Sequence, residues 1–305
     1  MKAVLFPGQG SQYVGMGLEF YEKFDLVKKN FDIVNKVLDF SLSDLIINGP
    51  EEKLKLTQNT QPAIMTIGVS IFQVLNMNFN LNLSSAKFLA GHSLGEYTAL
   101  VCAGSLTLED AAYLTHERGK AMQDAVPEGK GAMSAILGMT IDEIEKEISQ
   151  IPKEEVCEIA NDNSEGQIVV SGTKNGIKII NEKIKMKKKK GIVLPVSAPF
   201  HSSLMKKASD VMRDKIEKTT FLTPNPAVIS NVTATEENEA TKIKKLLVDQ
   251  ISSRVRWRES VDFMIKKGVS NFIEIGPGKV LSGLVKKINK DVKVSSINSI
   301  EDVKK

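Results

Sequence analysis

The chain has 305 residues, 42% of them hydrophobic and 26% charged, which is the composition of a globular protein with a full core and not of a disordered or fibrous one. A formal net charge of +4 implies no general attraction for nucleic acid. Cys102 and Cys157 lie too far apart for a metal-ligand spacing or a disulfide framework, so a reducing, cytoplasmic setting fits best.

In chain order, residues 2–6 read as a short buried strand, broken by Pro7 and Gly8 too early to be a signal peptide. Helical patterns are expected at 17–30, 31–40, 43–47 and 62–75, with Pro62 near the first turn of the last. Its apolar part, 63–75, is too short to span a membrane and carries Thr66, Ser70 and Gln73. A strand at 86–90 leads into Gly91-His92-Ser93-Leu94-Gly95, and a helix at 108–124 follows Thr107, its expected N-cap. Alternating strands and helices predict an α/β fold with a parallel sheet covered by helices.

Residues 128–195 change rhythm. Strands at 132–138, 156–161, 167–171 and 192–196, with helices at 141–151 and 175–187, spell β-α-β-β-α-β, the ferredoxin-like pattern. A complete small domain inserted at 128–195 into a large one made of 1–127 and 196–305 is therefore expected. The larger domain resumes with helices at 202–218, 243–251 and 260–267 and strands at 227–230 and 271–275, the last ending in Gly276-Pro277-Gly278. The basic run Lys185-Met186-Lys187-Lys188-Lys189-Lys190 reads as a solvated helix end, with a docking patch for an acidic partner as the alternative.

The Gly-x-Ser-x-Gly turn, between strand and helix, can lift the Ser93 hydroxyl above the end of a sheet as a nucleophile; otherwise it is a plain turn with Ser93 as N-cap. Such a serine needs a base, and the chain has three histidines. His92 adjoins Ser93 and should diverge from it. His116 lies within a helix, facing solvent or a neighbouring helix. His201, in the strand-to-helix loop at 196–203, is the favoured base. The Leu94 amide, following the serine, and the Gly8-Gln9-Gly10 loop are the expected oxyanion donors, each worth about 3 kcal/mol in the transition state. Arg118 falls on the apolar face of its helix, among Ala111, Leu114, Thr115, Ala121 and Met122. It either pairs with an internal carboxylate, snorkels to the rim, or forks onto a substrate carboxylate.

The motifs Phe6-Pro7-Gly8-Gln9-Gly10-Ser11-Gln12, Gly91-His92-Ser93-Leu94-Gly95-Glu96, Arg118-Gly119, Val126-Pro127-Glu128-Gly129, Pro199-Phe200-His201-Ser202 and Glu274-Ile275-Gly276-Pro277-Gly278 occur in that order. Together they closely resemble the malonyl-CoA:acyl carrier protein transacylase family of fatty acid synthesis, over nearly the whole chain. The resemblance implies an α/β-hydrolase-like large domain with an inserted ferredoxin-like one. It implies Ser93 as nucleophile, His201 as base, Gln9 and Leu94 as oxyanion donors, and Arg118 as the clamp for the malonyl carboxylate. It also implies Gln250 as the residue whose carbonyl orients the histidine, and Met122, Asn161, Phe200 and Val280 as lining the acyl pocket. Malonyl-CoA and holo acyl carrier protein are the implied partners, with no metal or resident cofactor, and a monomeric enzyme. A serine esterase or thioesterase, a transferase serving a polyketide carrier, and a non-catalytic docking module are the alternatives.

Overall fold

The computed structural model describes residues 1–196 and 198–304. The first part of the chain forms β1 (Lys2–Phe6), α1 (Leu18–Lys23), α2 (Asp25–Leu38), α3 (Leu42–Asn48), α4 (Glu51–Leu54), α5 (Thr57–Asn78), β2 (Phe88–Gly91), α6 (Gly95–Cys102) and α7 (Leu108–Asp124). The middle forms β3 (Gly131–Leu137), α8 (Ile141–Ile148), β4 (Cys157–Ser164), β5 (Gln167–Thr173), α9 (Lys174–Met186) and β6 (Lys190–Val193). The last part forms α10 (Lys206–Lys218), β7 (Ala227–Ile229), β8 (Glu236–Glu237), α11 (Ala240–Gln250), α12 (Trp257–Lys266), β9 (Asn271–Ile275), α13 (Val280–Ile288) and β10 (Lys293–Ile297).

Two sheets organise these elements. The larger has the order β10-β9-β1-β2-β7-β8 and is parallel except for β8, which runs antiparallel to β7. β1 is apolar on both faces because it is covered on both: Val4 and Phe6 enter one core cluster, Ala3 and Leu5 the other. The smaller sheet is antiparallel, ordered β4-β5-β3-β6. Ile136, Ile168 and Val170 on one of its faces pack with Ile144 of α8 and Ile177, Ile180 and Ile184 of α9. Met133 and Val169, pointing the other way, join the main core, so the small sheet is tied to the large one by apolar burial.

Four expectations need correction. The helix expected at 17–30 is broken at Phe24, whose extended backbone (φ −124°, ψ 114°) ends α1 and opens α2. That break brings the Phe24 ring to 6.1 Å from both Phe20 and Phe79, measured between centroids. Secondly, α5 begins at Thr57, so Pro62 lies inside the helix and not near its start. A proline there has no N–H for the Gln58 carbonyl one turn back. The His116 ring supplies the missing donor, its Nδ1 lying 2.9 Å from that oxygen. Thirdly, the last small-sheet strand ends at Val193, short of Pro195. Finally, α13 and β10 extend the fold beyond Gly278, where sequence patterning had predicted nothing. The lysine run spans the last turn of α9, the turn after it and the first residue of β6, with Lys187 paired to Glu147 at 2.9 Å.

Candidate active site

The C-terminal ends of the parallel strands carry the loops that form the site, which is where open α/β sheets place ligand sites. β1 delivers the Pro7–Gly8–Gln9 loop, β2 the serine turn, β7 Asn231, and β9 Gly276. Contact between these loops is tight enough to require glycine. A Cβ on Gly95 would lie 2.3 Å from the Phe6 carbonyl oxygen, and one on Gly8 would lie 2.7 Å from that of His92.

Ser93 sits at φ +54°, in the left-handed region a side chain rarely adopts. Asn231 holds the turn there: its Oδ1 accepts from the Ser93 amide at 2.7 Å, and its Nδ2 donates to the Gly91 carbonyl at 2.7 Å. The Ser93 hydroxyl lies 2.8 Å from His201 Nε2. His201, also at positive φ (+57°), places Nδ1 2.9 Å from the main-chain carbonyl of Gln250 at the end of α11. A carbonyl only accepts, so Nδ1 carries the proton and Nε2 is left as the acceptor for the serine hydroxyl. Burial and the nearby Arg118 charge push the His201 pKa down to about 3, so the imidazole is neutral at physiological pH. Ser197, in the loop that carries His201, lies outside the described residues.

Arg118 is 1% exposed. Its Nη1 donates to Gln61 Oε1 at 2.7 Å, and its Nη2 to Gln250 Oε1 at 2.8 Å and to Ser93 Oγ at 3.0 Å. Nε has no hydrogen-bond partner, and no carboxylate touches the guanidinium, among the described residues. Of the three readings for this arginine, internal pairing with a carboxylate and snorkelling are thereby set aside.

The remaining residues singled out from sequence divide. Leu94 caps the start of α6, directly after Ser93. Gln9 reaches α5, its Nε2 donating to Thr57 Oγ1 at 3.3 Å. Met122 is buried one turn beyond Arg118, with Sδ 3.8 Å from Gln61 Nε2. Phe200 is buried beside His201. Asn161 is buried in β4, its backbone bridged to Val255, and Val280 opens α13 at 54% exposure; neither joins the hydrogen-bonded cluster around Ser93. His92 turns away, with Nε2 2.9 Å from Asn163 Oδ1 and its ring against Trp257. Among the described residues no group of three or more His, Cys, Asp or Glu side chains is placed to hold a metal ion, and no helix is long and apolar enough to cross a membrane.

Three members of the cluster escaped the sequence reading. They are Asn231, Gln61 and Glu96, the last 3% exposed. One of them carried a faint signal, since Glu96 is a charged side chain at the head of the mostly apolar run 97–103, whereas Gln61 ends the polar run 57–61 ahead of the expected helix. Asn231 carried none.

A nucleophile, a neutral imidazole and a buried guanidinium within hydrogen-bond reach of one hydroxyl suit acyl transfer. The family model for an acyl transferase domain matches residues 4–304. The chain belongs to the acyl transferase family. It is 44% identical over 303 residues to the malonyl CoA-acyl carrier protein transacylase of Bacillus subtilis, covering 99% of this chain and 94% of the relative. The acyl-carrier-protein S-malonyltransferase from Bartonella henselae superposes with a TM-score of 0.96 at 41% identity, covering 99% of this acyl transferase and 97% of that chain. A malonyl-transacylase solved in complex with its type II PKS acyl-carrier protein superposes at 0.95 with 38% identity, covering 99% and 97%.

Proposed function

We propose that this acyl transferase moves the malonyl group from malonyl-CoA to the phosphopantetheine thiol of holo acyl carrier protein through a malonyl-Ser93 ester, supplying extender units for fatty acid synthesis. The observation that carries the reading is Arg118. A buried cation that touches only neutral acceptors, and keeps Nε without a partner beside the nucleophile, is a receptor for a carboxylate on the acyl group.

In the first half-reaction the Ser93 hydroxyl gives its proton to His201 Nε2 while its oxygen attacks the thioester carbonyl. Negative charge on the former carbonyl oxygen is held by the amides of Leu94 and Gln9. As the C–S bond breaks, His201 passes the proton to the coenzyme A sulfur. In the second half the carrier's thiol gives its proton to His201 and attacks the ester, and Ser93 Oγ leaves and takes that proton back. The Gln250 carbonyl keeps Nδ1 protonated throughout, and Arg118 holds the malonyl carboxylate in both halves. Met122 and Phe200 flank the acyl group, with Asn161 and Val280 further out. The two-sheet partition supports taking 1–127 and 196–305 as the catalytic domain and 128–195 as the inserted one. The free thiols Cys102 and Cys157 fit the cytoplasm, and the proposed state is a monomer.

The test is incubation with malonyl-CoA and holo carrier protein, read by intact mass. Malonylated carrier, with a malonyl adduct on the enzyme that disappears in Ser93→Ala, is expected. Free malonate without malonylated carrier would show a hydrolase instead, and an enzyme that never gains a malonyl group would show a docking module. Because one structural relative was solved with a polyketide carrier, carriers of both kinds should be compared.

A further inference from the structure

Glu96 is the second residue of α6, inside the core, and the chemistry just described gives it no part. It is nonetheless the hub of the site's polar network. One of its oxygens, Oε2, accepts from the Asn231 amide at 3.0 Å and from Gln250 Nε2 at 2.8 Å. Asn231 holds the Ser93 turn, and Gln250 bears on all three central groups. Its main-chain carbonyl meets His201 Nδ1 at 2.9 Å, its Oε1 meets Arg118 Nη2 at 2.8 Å, and its Nε2 donates to the Ser93 carbonyl at 3.0 Å.

A side-chain amide can sit in either of two orientations, and here donor and acceptor rules choose between them. Glu96 Oε2 already accepts from the Asn231 main-chain amide, so it is an acceptor and the NH2 end of Gln250 must face it. A guanidinium only donates, so the oxygen end must face Arg118. Were the amide reversed, its NH2 would meet Arg118 and its oxygen would meet the accepting oxygen of Glu96, leaving two buried repulsive contacts. Without a fixed acceptor at Glu96, the preference for the working orientation falls to the Arg118 contact and the weaker Ser93 carbonyl contact.

We infer that Glu96 is a positioning residue for acyl selection: it fixes the Gln250 amide so that Arg118 is aimed beside Ser93 to receive the carboxylate of the acyl donor. The inference rests on the malonyl-transfer reading and adds to it a determinant of selectivity that touches no substrate. Glu96 acts by accepting two hydrogen bonds at one oxygen, so the amide oxygen of a glutamine in its place serves equally well. Withdrawing the acceptor does not.

The experiment measures kcat/KM for malonyl-CoA and for acetyl-CoA with holo carrier protein, using the full-length parent, Glu96→Gln and Glu96→Asp, with unfolding midpoints alongside. Aspartate keeps the carboxyl group but retracts the acceptor by one methylene from Gln250 and Asn231. The malonyl-to-acetyl ratio is expected to fall about tenfold or more in Glu96→Asp, mainly through KM for malonyl-CoA, and to stay within about threefold of the parent in Glu96→Gln. A ratio unchanged in Glu96→Asp overturns the inference, as does a loss shared equally by both substrates. A ratio lowered tenfold in Glu96→Gln overturns it independently of whether the aspartate variant folds. A parent that transfers no malonyl group refutes the underlying function reading instead, so the two failures are distinguishable.

Discussion

Replacing Glu96 by glutamine should also remove a pH dependence of stability that burial builds into the fold. Burial raises the Glu96 carboxyl from 4.5 to about 7, against the opposing pull of hydrogen bonds from Asn231 and Gln250 and of the Arg118 charge. Tyr97 and His201 are the other titratable groups of the cluster. Burial lifts the Tyr97 phenol to about 12, and the His201 imidazole is neutral above pH 4, so neither adds charge in the window concerned. As pH rises past 4.5, the unfolded chain loses the Glu96 proton while the folded chain keeps it until about 7. The unfolded state is favoured progressively across that window, by about 3 kcal/mol in all. His201 acts in the opposite sense. Its folded pKa of about 3 lies below the usual 6.5, so its stabilisation is present above 6.5 and is lost as pH falls toward 3. The two effects offset between 4.5 and 6.5 in the parent, which makes the raw profile flat there and uninformative. Urea unfolding of the parent and of Glu96→Gln from pH 4 to 8 separates them: the variant's advantage should grow by about 3 kcal/mol with rising pH and level off above 7. Parallel curves, within about 0.5 kcal/mol, would refute the argument that the carboxyl is held protonated by burial.

Three further perturbations follow from the geometry. Arg118→Ala removes the charged fork, so malonyl transfer should fall by about 100-fold or more while acetyl transfer is spared or improved; an equal loss of both in steady-state assays contradicts the clamp. Gly119→Ala would set a Cβ 2.5 Å from Gln58 Cα and 2.6 Å from the Thr57 carbonyl oxygen. It should cost about 1–3 kcal/mol in urea unfolding and raise KM for malonyl-CoA, because α7 carries Arg118. His116→Ala leaves the Gln58 carbonyl without its donor and should cost about 1–3 kcal/mol. In a Pro62→Ala background, where the main chain regains an N–H one turn after Gln58, the same change should cost measurably less, and a double-mutant cycle without coupling would show that the ring does not fill the gap.

What could be read from the chain beforehand was whatever is local. The bounds of β1 and α7 and the Thr107 cap follow from an uninterrupted apolar run and a hydroxyl one residue ahead of a helix, and each is as expected. The order of small-sheet elements was legible for the same reason. The break at Phe24 was not, because no Gly or Pro marks it, and the ring it places against Phe79 beyond the end of another helix is a long-range contact no local pattern shows. The site divided likewise. Ser93 and Arg118 stand in recognisable local settings, whereas Glu96 meets Asn231 and Gln250 across separations of 135 and 154 residues, which no periodicity encodes. Even for Gln250, only the carbonyl was anticipated; the amide that links Glu96 to Arg118 depends on the orientation of one torsion in the folded core.

If Arg118 is the carboxylate clamp proposed above, that linkage explains how a guanidinium can be buried and still be available. A carboxylate in direct contact with Arg118 would satisfy it and would compete with any acidic substrate, while a cation with no counter-charge at all would be too costly to bury. Here the acceptors at the guanidinium are the neutral oxygens of Gln61, Gln250 and Ser93, and the acidic group sits one residue further away, behind the Gln250 amide. A neutral acceptor holds an arginine less tightly than a carboxylate does, so an incoming carboxylate can displace the serine contact and gain more than is lost. The same displacement frees the Ser93 hydroxyl from Arg118 and leaves it to His201 alone. On the malonyl-transfer reading, recognition of the acid and release of the nucleophile become one event.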